Sequence, residues 1–130
     1  MVSPLRPVRV LLVDDDPDFL QALAASIAEP EIAIVGMATS GEEALERLEE
    51  LQPDLVVLDL LMPGMGGVEA ARVCREHLPS CRIVLISGSI FAENSPDATE
   101  LGADGFLTKS DVNRRLAATI IGLCRPAEAR

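Results

Sequence analysis

Aromatic residues, cysteines and long apolar runs are all scarce in this chain of 130 residues. It has three phenylalanines, no tryptophan and no tyrosine. No run approaches the roughly 20 apolar residues that cross a bilayer, and residues 1–7 lack the apolar segment of a signal peptide. The three cysteines lack the C-x-x-C spacing of zinc and redox sites, which favours simple packing in a reducing compartment. We therefore expect a cytoplasmic protein that makes no contact with a membrane.

Positive charge is also scarce. The chain has 11 Lys and Arg residues against 21 Asp and Glu residues, a formal net charge of −10 at pH 7. Because DNA affinity depends on Lys and Arg side chains that neutralise phosphates, we expect no direct nucleic-acid binding by this segment. All the cationic residues except Lys109 are arginine. An arginine-rich composition does not explain that exception, whereas a site that needs a compact ammonium on a flexible stem does.

Five short apolar runs alternate with segments of helical periodicity. We predict strands over 9–13, 32–35, 55–59, 82–86 and 105–108, the second at a sheet edge. Helices are predicted over 17–28 with Asp16 as N-cap, over 41–51, 68–78 and 96–102, and from a Ser110 cap to Leu123. This order predicts an α/β, flavodoxin-like fold: a (βα)5 doubly wound parallel five-stranded sheet with strand order 2-1-3-4-5. Residues 8–124 would form the domain, with flexible termini at 1–7 and 125–130.

Two of the predicted strands end on aspartate. Residues 10–13 are followed by Asp14, Asp15 and Asp16, and residues 55–58 are followed by Asp59. In the 2-1-3-4-5 order the connections reverse direction between strands 1 and 3, and ligands of such sheets bind there, beyond the carboxyl ends of the strands. We therefore expect these carboxylates around one crevice, where they can share a cation.

Five short motifs follow one another along the chain. They are Val13-Asp14-Asp15-Asp16-Pro17, Asp59-x-x-Met62-Pro63-Gly64, Ser87-Gly88, Gly102-Ala103-Asp104-Gly105-Phe106 and Lys109. In order and spacing they resemble the receiver domain of two-component response regulators, and the resemblance extends from about Arg9 to Leu123. The second and fourth motifs are most similar to receivers that precede helix-turn-helix output domains.

This resemblance implies that Asp59 takes a phosphoryl group from the phosphohistidine of a sensor histidine kinase or a phosphotransfer protein. Mg²⁺ would offset the repulsion between that carboxylate and the anionic phosphoryl group. The implied Mg²⁺ site has Asp15, Asp59 and the backbone carbonyl of Leu61 as direct ligands, with Asp14 bound to the ion through a water. Ser87 and Lys109 would contact phosphoryl oxygens.

The resemblance also implies a signalling switch rather than a turnover enzyme. Ser87 and Phe106 occupy the family's switch positions, where a hydroxyl group and an aromatic ring move together after phosphorylation. The fourth helix, the fifth strand and the fifth helix would form the surface that binds an output domain or a partner protein. A dimer linked to phosphorylation is a further expectation.

Two positions depart from the family pattern. Receivers usually have a proline in a cis peptide after the lysine, whereas this chain has Lys109-Ser110. Because a cis bond before a non-proline residue costs about 2.5 to 4 kcal/mol, we predict a trans bond or a strained loop there. Leu61 cannot hydrogen-bond a hydrolytic water, which predicts slow self-dephosphorylation. The single histidine, His77, is predicted to be solvated and far from the crevice.

Three alternatives remain open. The first is an Mg²⁺-dependent phosphatase with an aspartate nucleophile, similar to the haloacid dehalogenase group. Residues 14–17 have the Asp-x-Asp spacing of that group but lack the hydroxyl residue that follows it. The second is a flavin-binding electron carrier, which the few aromatic residues and the acidic site disfavour. The third is a pseudo-receiver, an interaction module that is not phosphorylated.

Overall fold

The computed structural model describes residues 6–88 and 102–125. Its strands are β1 (Val8–Val13), β2 (Ile32–Ala38), β3 (Leu55–Asp59), β4 (Arg82–Ser87) and β5 (Gly105–Thr108), and its helices are α1 (Pro17–Ser26), α2 (Gly41–Leu51), α3 (Gly67–His77) and α4 (Val112–Cys124). The strands form one parallel sheet in the order β2-β1-β3-β4-β5. The predicted flavodoxin-like α/β fold and its strand order are confirmed, with β2 at an edge.

Some predictions lie largely outside these residues. The helix predicted over 96–102 is described only at Gly102, so the last helix is numbered α4 here. Most of the predicted flexible termini are also outside the described ranges. Within residues 6–88 and 102–125, no helix is long and apolar enough to cross a bilayer.

The sheet is covered on both faces by helices, as the unbroken apolar strands predict. One core layer contains residues of α1 and α4, and it includes Val10 and Leu12 of β1 with Val57 of β3. The opposite layer contains residues of α2 and α3, and it includes Leu11 of β1 with Val56 of β3. Because successive strand residues point to opposite faces, each strand supplies both layers. The same alternation carries Asp14 and Asp59 towards the side of α1 and α4.

An ion pair at the opposite end of the sheet fixes the position of β5. Asp104 accepts hydrogen bonds from the guanidinium of Arg75 at 2.8 Å and from the backbone N–H of Ile83 at 2.8 Å. The backbone N–H of Asp104 donates to the Ile83 carbonyl at 2.7 Å. Just before it, Gly102 adopts a φ of 83°, a conformation that favours glycine. The Gly-Ala-Asp-Gly-Phe segment therefore sets the register of the strand that leads to Lys109.

The structure shifts several predicted boundaries, most of them by one residue. α1 ends at Ser26 rather than residue 28, and β2 continues to Ala38. The predicted Ser110 cap is wrong, because Asp111 is the N-cap of α4. The Ser110 hydroxyl lies 3.0 Å from the Thr108 hydroxyl instead, in a turn closed by the hydrogen bond from the Asp111 N–H to the Thr108 carbonyl. Because of that turn, the helix begins at Val112.

Candidate functional site

The carboxyl ends of β1 and β3 bring three aspartates together. Val13 pairs with Leu58, so Asp14 and Asp59 follow neighbouring strands at the same level of the sheet. One carboxylate oxygen from each of Asp14, Asp15 and Asp59 lies within 4.8 Å of the others. Asp14 is fully buried and Asp59 is 4% exposed, whereas Asp15 is exposed. The crevice predicted from the strand ends is therefore present in the structure.

Backbone N–H groups hold the two buried carboxylates in place. Asp14 accepts a hydrogen bond from the Asp16 N–H at 2.9 Å, and Asp59 accepts one from the Leu61 N–H at 3.3 Å. Asp16 itself accepts from the N–H groups of Asp18 and Phe19, which confirms it as the N-cap of α1. Asp16 therefore stabilises the helix start, while Asp14 and Asp59 face the crevice.

Lys109 extends from the end of β5 into this cluster. Its Nζ lies 2.8 Å from Asp14 Oδ2, 3.7 Å from Asp59 Oδ2 and 4.4 Å from the centre of the Phe19 ring. Its backbone N–H donates to the Ser87 carbonyl at 2.7 Å, which ties the end of β5 to β4. The described peptide bonds are all trans, including Lys109-Ser110, so the ammonium reaches the carboxylates without a cis bond.

The cluster carries more negative than positive charge. Three carboxylates and one ammonium leave a formal charge of −2 (three minus one) on Asp14, Asp15, Asp59 and Lys109. Burial and the neighbouring Asp14 carboxylate raise the pKa of Asp59 to about 6, although Lys109 and the Leu61 N–H act in the opposite direction. Burial disfavours the charged form of Lys109, but the hydrogen bond to Asp14 and the charge of Asp59 outweigh it and raise the pKa of the ammonium. These carboxylates therefore favour a further cation.

The loop after β3 passes very close to Asp59. A Cβ atom on Gly67 would overlap the Asp59 carbonyl oxygen and lie 2.7 Å from the Cα of Leu60. The Gly67 N–H donates to the Leu60 carbonyl at 3.0 Å, so the start of α3 packs directly against the end of β3. Leu61 lies beside the crevice with its side chain 69% exposed. Its backbone position is therefore set by a loop that requires glycine at residue 67.

A family model described as the response regulator receiver domain matches residues 10–121. The chain belongs to this family. It is 42% identical over 109 residues to the nitrate/nitrite response regulator protein NarL of Escherichia coli (strain K12), a match that covers 83% of this chain and 50% of NarL. It is 38% identical over 101 residues to the chemotaxis protein CheY of Halobacterium salinarum, covering 78% of this chain and 83% of CheY.

Solved structures agree with this assignment. The receiver domain of the putative response regulator NarL from Mycobacterium tuberculosis superposes with a TM-score of 0.79 at 31% identity, covering 93% of this chain and 98% of that one. The chain spans about half the length of the first curated relatives it matches. The predicted resemblance to a receiver domain is confirmed.

Receiver domains bind Mg²⁺ at an acidic pocket, and this chain has the acidic cluster of Asp14, Asp15 and Asp59. The donor set suits that ion, because Mg²⁺ prefers oxygen ligands and uses one or two carboxylates together with waters. The exposed Asp15 leaves the cluster open to solvent on one side, and the buried pair supplies uncompensated charge. The residues present therefore fit the metal that the family uses.

The structure also places the other predicted site residues of the receiver. Ser87 is fully buried at the end of β4 and pairs with Thr108 of β5. Phe106 is half-buried and packs against the core layer that contains residues of α2 and α3. His77 is exposed near the end of α3. The roles of Ser87 and Phe106 in switching stay predictions.

Two residues of this site could not be predicted from the sequence. Phe19 has the helical spacing of an ordinary core residue, but its ring contacts the Lys109 ammonium. Gly67 is one of several glycines in a turn, and nothing local distinguishes it as the residue that α3 needs to approach Asp59. In both cases the contact joins segments far apart in sequence or packs one element against another. Local patterns do not report such contacts.

Proposed function

We propose that this receiver is a phosphorylation-dependent switch in which Asp59 accepts a phosphoryl group from the phosphohistidine of a sensor histidine kinase or phosphotransfer protein. The observation that carries the proposal is the position of Asp59, a buried carboxylate at the end of β3 beside Asp14, Asp15 and Lys109. Burying a carboxylate next to other carboxylates destabilises the fold unless the charge is paired or binds a metal, so such a group is expected mainly where function requires it. Family membership supplies the reaction class.

In the proposed reaction an Asp59 carboxylate oxygen attacks the phosphorus atom, the P–N bond to the donor imidazole breaks, and an acyl phosphate forms. Because the pKa of Asp59 is about 6, the carboxylate is largely ionised at neutral pH and able to attack. Lys109 places its ammonium beside the attacking oxygen, and the Ser87 hydroxyl would donate to another phosphoryl oxygen.

We propose that Asp14, Asp15, Asp59 and the backbone carbonyl of Leu61 hold the Mg²⁺ ion. When bound, the ion neutralises charge on the reacting oxygens. Asp14 and Asp59 are pre-positioned for this by hydrogen bonds from backbone N–H groups, so they need little rearrangement to act as ligands.

The consequence of phosphorylation would be a change at Ser87 and Phe106 that reaches the partner surface next to β5. We propose an output domain or a partner protein as the occupant of that surface, and a dimer that forms on phosphorylation. Residues 8–124 would form this unit, in the cytoplasm, where histidine kinases supply phosphoryl groups. One phosphoryl group per chain, rather than turnover of substrates, would be its product.

The test is incubation with acetyl phosphate and Mg²⁺, followed by intact mass measurement. We expect one added phosphoryl group on the wild type, none on Asp59→Asn, and one on Asp16→Asn. The last variant is a matched control, because asparagine caps a helix as well as aspartate does and Asp16 binds the start of α1.

Two outcomes would contradict the proposal. No addition to the wild type would indicate a pseudo-receiver. Sustained hydrolysis of a phosphomonoester such as p-nitrophenyl phosphate, lost in Asp59→Asn, would instead indicate a phosphatase.

A further inference from the structure

Phe19 provides a contact to the Lys109 ammonium that does not involve any proposed metal ligand. The ammonium lies 4.4 Å from the centre of the Phe19 ring, within the range of a cation–π interaction. Among residues 6–88 and 102–125, the carboxylates that the ammonium contacts are those of Asp14 and Asp59, and both are assigned to Mg²⁺ under the proposed function. The ring is therefore a separate anchor for the same cation.

The ring is held firmly enough to act in this way. Phe19 lies in the first turn of α1, where its backbone N–H donates to the Asp16 cap at 3.3 Å. Its side chain packs against the core layer that contains residues of α1 and α4. Lys109, in contrast, has a flexible four-carbon stem, and its side chain is 29% exposed. A fixed ring can restrict where that flexible side chain places its charge.

We propose that Phe19 is a positioning residue that keeps the Lys109 ammonium at the phosphoryl site once a divalent cation shares the carboxylates. The inference rests on the proposed function, because it assumes that Asp14 and Asp59 become metal ligands. Once Asp14 and Asp59 held a divalent cation, their attraction for the ammonium would be weaker, and the ammonium would also be repelled by the positive charge of the ion. The face of the Phe19 ring, which binds no metal, retains its attraction for the ammonium.

The size of the effect follows from the strength of the contact. A cation–π interaction at a partly exposed site is worth about a fivefold change in an equilibrium or rate constant. Replacing the ring by an aliphatic side chain should therefore slow phosphorylation by about fivefold at saturating Mg²⁺. Phe19→Tyr keeps an aromatic face and should stay close to the wild-type rate.

Lys109 is the single lysine of the chain, so one NMR signal reports its position. Protein labelled with ¹³C-lysine gives one ε-methylene signal, and a ring within 4.4 Å of Nζ shifts that signal upfield. We expect the upfield shift in the wild type and in Phe19→Tyr, both without metal and with saturating Mg²⁺, and its loss in Phe19→Leu. Leu23→Val, which removes core volume one turn further along α1, should keep the shift.

The same proteins are then phosphorylated with acetyl phosphate at saturating Mg²⁺. Support requires a retained shift in the Mg²⁺-loaded wild type together with a rate about fivefold lower in Phe19→Leu and near normal in Phe19→Tyr and Leu23→Val. Loss of the wild-type shift on Mg²⁺ addition, or a wild-type rate in Phe19→Leu, overturns the proposal.

The lysine NMR signal and the phosphorylation rate together distinguish a failure of this inference from a failure of the function on which it rests. If the wild type accepts no phosphoryl group, the proposed function fails. The lysine signal in the Mg²⁺-titrated protein still decides whether the ring holds the ammonium. If phosphorylation proceeds normally but the shift disappears with Mg²⁺, the function stands and the role of Phe19 is wrong.

Discussion

Asp59→Asn should make the metal-free protein more stable at neutral pH. Burial and the Asp14 charge raise the pKa of Asp59 from an ordinary value near 3.8 to about 6. The carboxyl is 4% exposed, so solvent screens these effects little. An acid whose pKa is higher in the folded chain opposes folding when it ionises. That cost is absent well below pH 4, grows as the pH rises from about 4 to 6, and is constant above that range.

The magnitude follows from the same pKa difference. Each tenfold change in proton affinity corresponds to about 1.4 kcal/mol, so the ionised Asp59 costs about 1–2 kcal/mol at pH 5 and about 3 kcal/mol well above pH 6. Asparagine has a similar shape and carries no charge. The free energy of unfolding of Asp59→Asn should therefore exceed that of the wild type, by a margin that increases up to about pH 6 and is nearly constant above it.

The assay is urea unfolding in EDTA at several pH values between 5 and 8. Glu46→Gln removes an exposed carboxylate from α2 and serves as a control, with an expected change within about 0.5 kcal/mol at every pH. Saturating Mg²⁺ should stabilise the wild type and should stabilise Asp59→Asn less, since the variant lacks one ligand. An Asp59→Asn protein that is no more stable than the wild type at pH 8, or a difference that does not depend on pH, would refute this reasoning.

Three further predictions concern two residues beside the site and one at the opposite end of the sheet. Gly67→Ala should destabilise the fold by about 1–3 kcal/mol in urea unfolding and slow phosphorylation, because the new methyl group overlaps the Asp59 carbonyl. Gly122→Ala is the control, since a methyl group has open space at that position in α4, and it should be neutral or stabilising. Equal effects of the two substitutions would argue against a close approach of Gly67 to Asp59. Leu61→Asn should shorten the phosphoryl half-life measured by intact mass, because an amide at this exposed position can hydrogen-bond the water that hydrolyses the acyl phosphate. An unchanged or longer half-life would show that the side chain at residue 61 does not limit hydrolysis. Asp104→Ala should lower the free energy of unfolding by about 1–3 kcal/mol, because the Arg75 guanidinium and the Ile83 N–H lose their acceptor. A loss below about 0.5 kcal/mol would show that this ion pair does not fix β5.

The sequence was enough to predict the strands, because unbroken apolar runs and turn residues are local signals. Their order was predicted from the order that doubly wound sheets of this size commonly adopt. The two strand ends that carry Asp14 and Asp59 follow from that order without knowledge of contacts, and the structure places both carboxylates in one cluster. The Lys109-Ser110 bond is trans, which is one of the two outcomes predicted from the energetic cost of a cis bond before a residue other than proline.

Contacts between distant segments could not be predicted in the same way. Lys109 lies closer to Asp14 than to Asp59, and its ammonium contacts the Phe19 ring, because its long side chain extends from the end of β5 across the strand ends to the start of α1. Serine is a common N-cap residue, yet the Ser110 hydroxyl contacts Thr108, and Asp111 occupies the N-cap position of α4. In each case tertiary packing selects among partners that the sequence leaves equivalent.

The central claim is that Asp59 itself carries the phosphoryl group. The most direct measurement is reduction of the acetyl phosphate-treated protein with borohydride, which converts an aspartyl phosphate to homoserine, followed by peptide mass mapping. We expect homoserine at position 59 in the wild type, dependent on Mg²⁺, and none at Asp14 or Asp15. Conversion at another residue, or a stable phosphoryl group that borohydride does not remove, would contradict it.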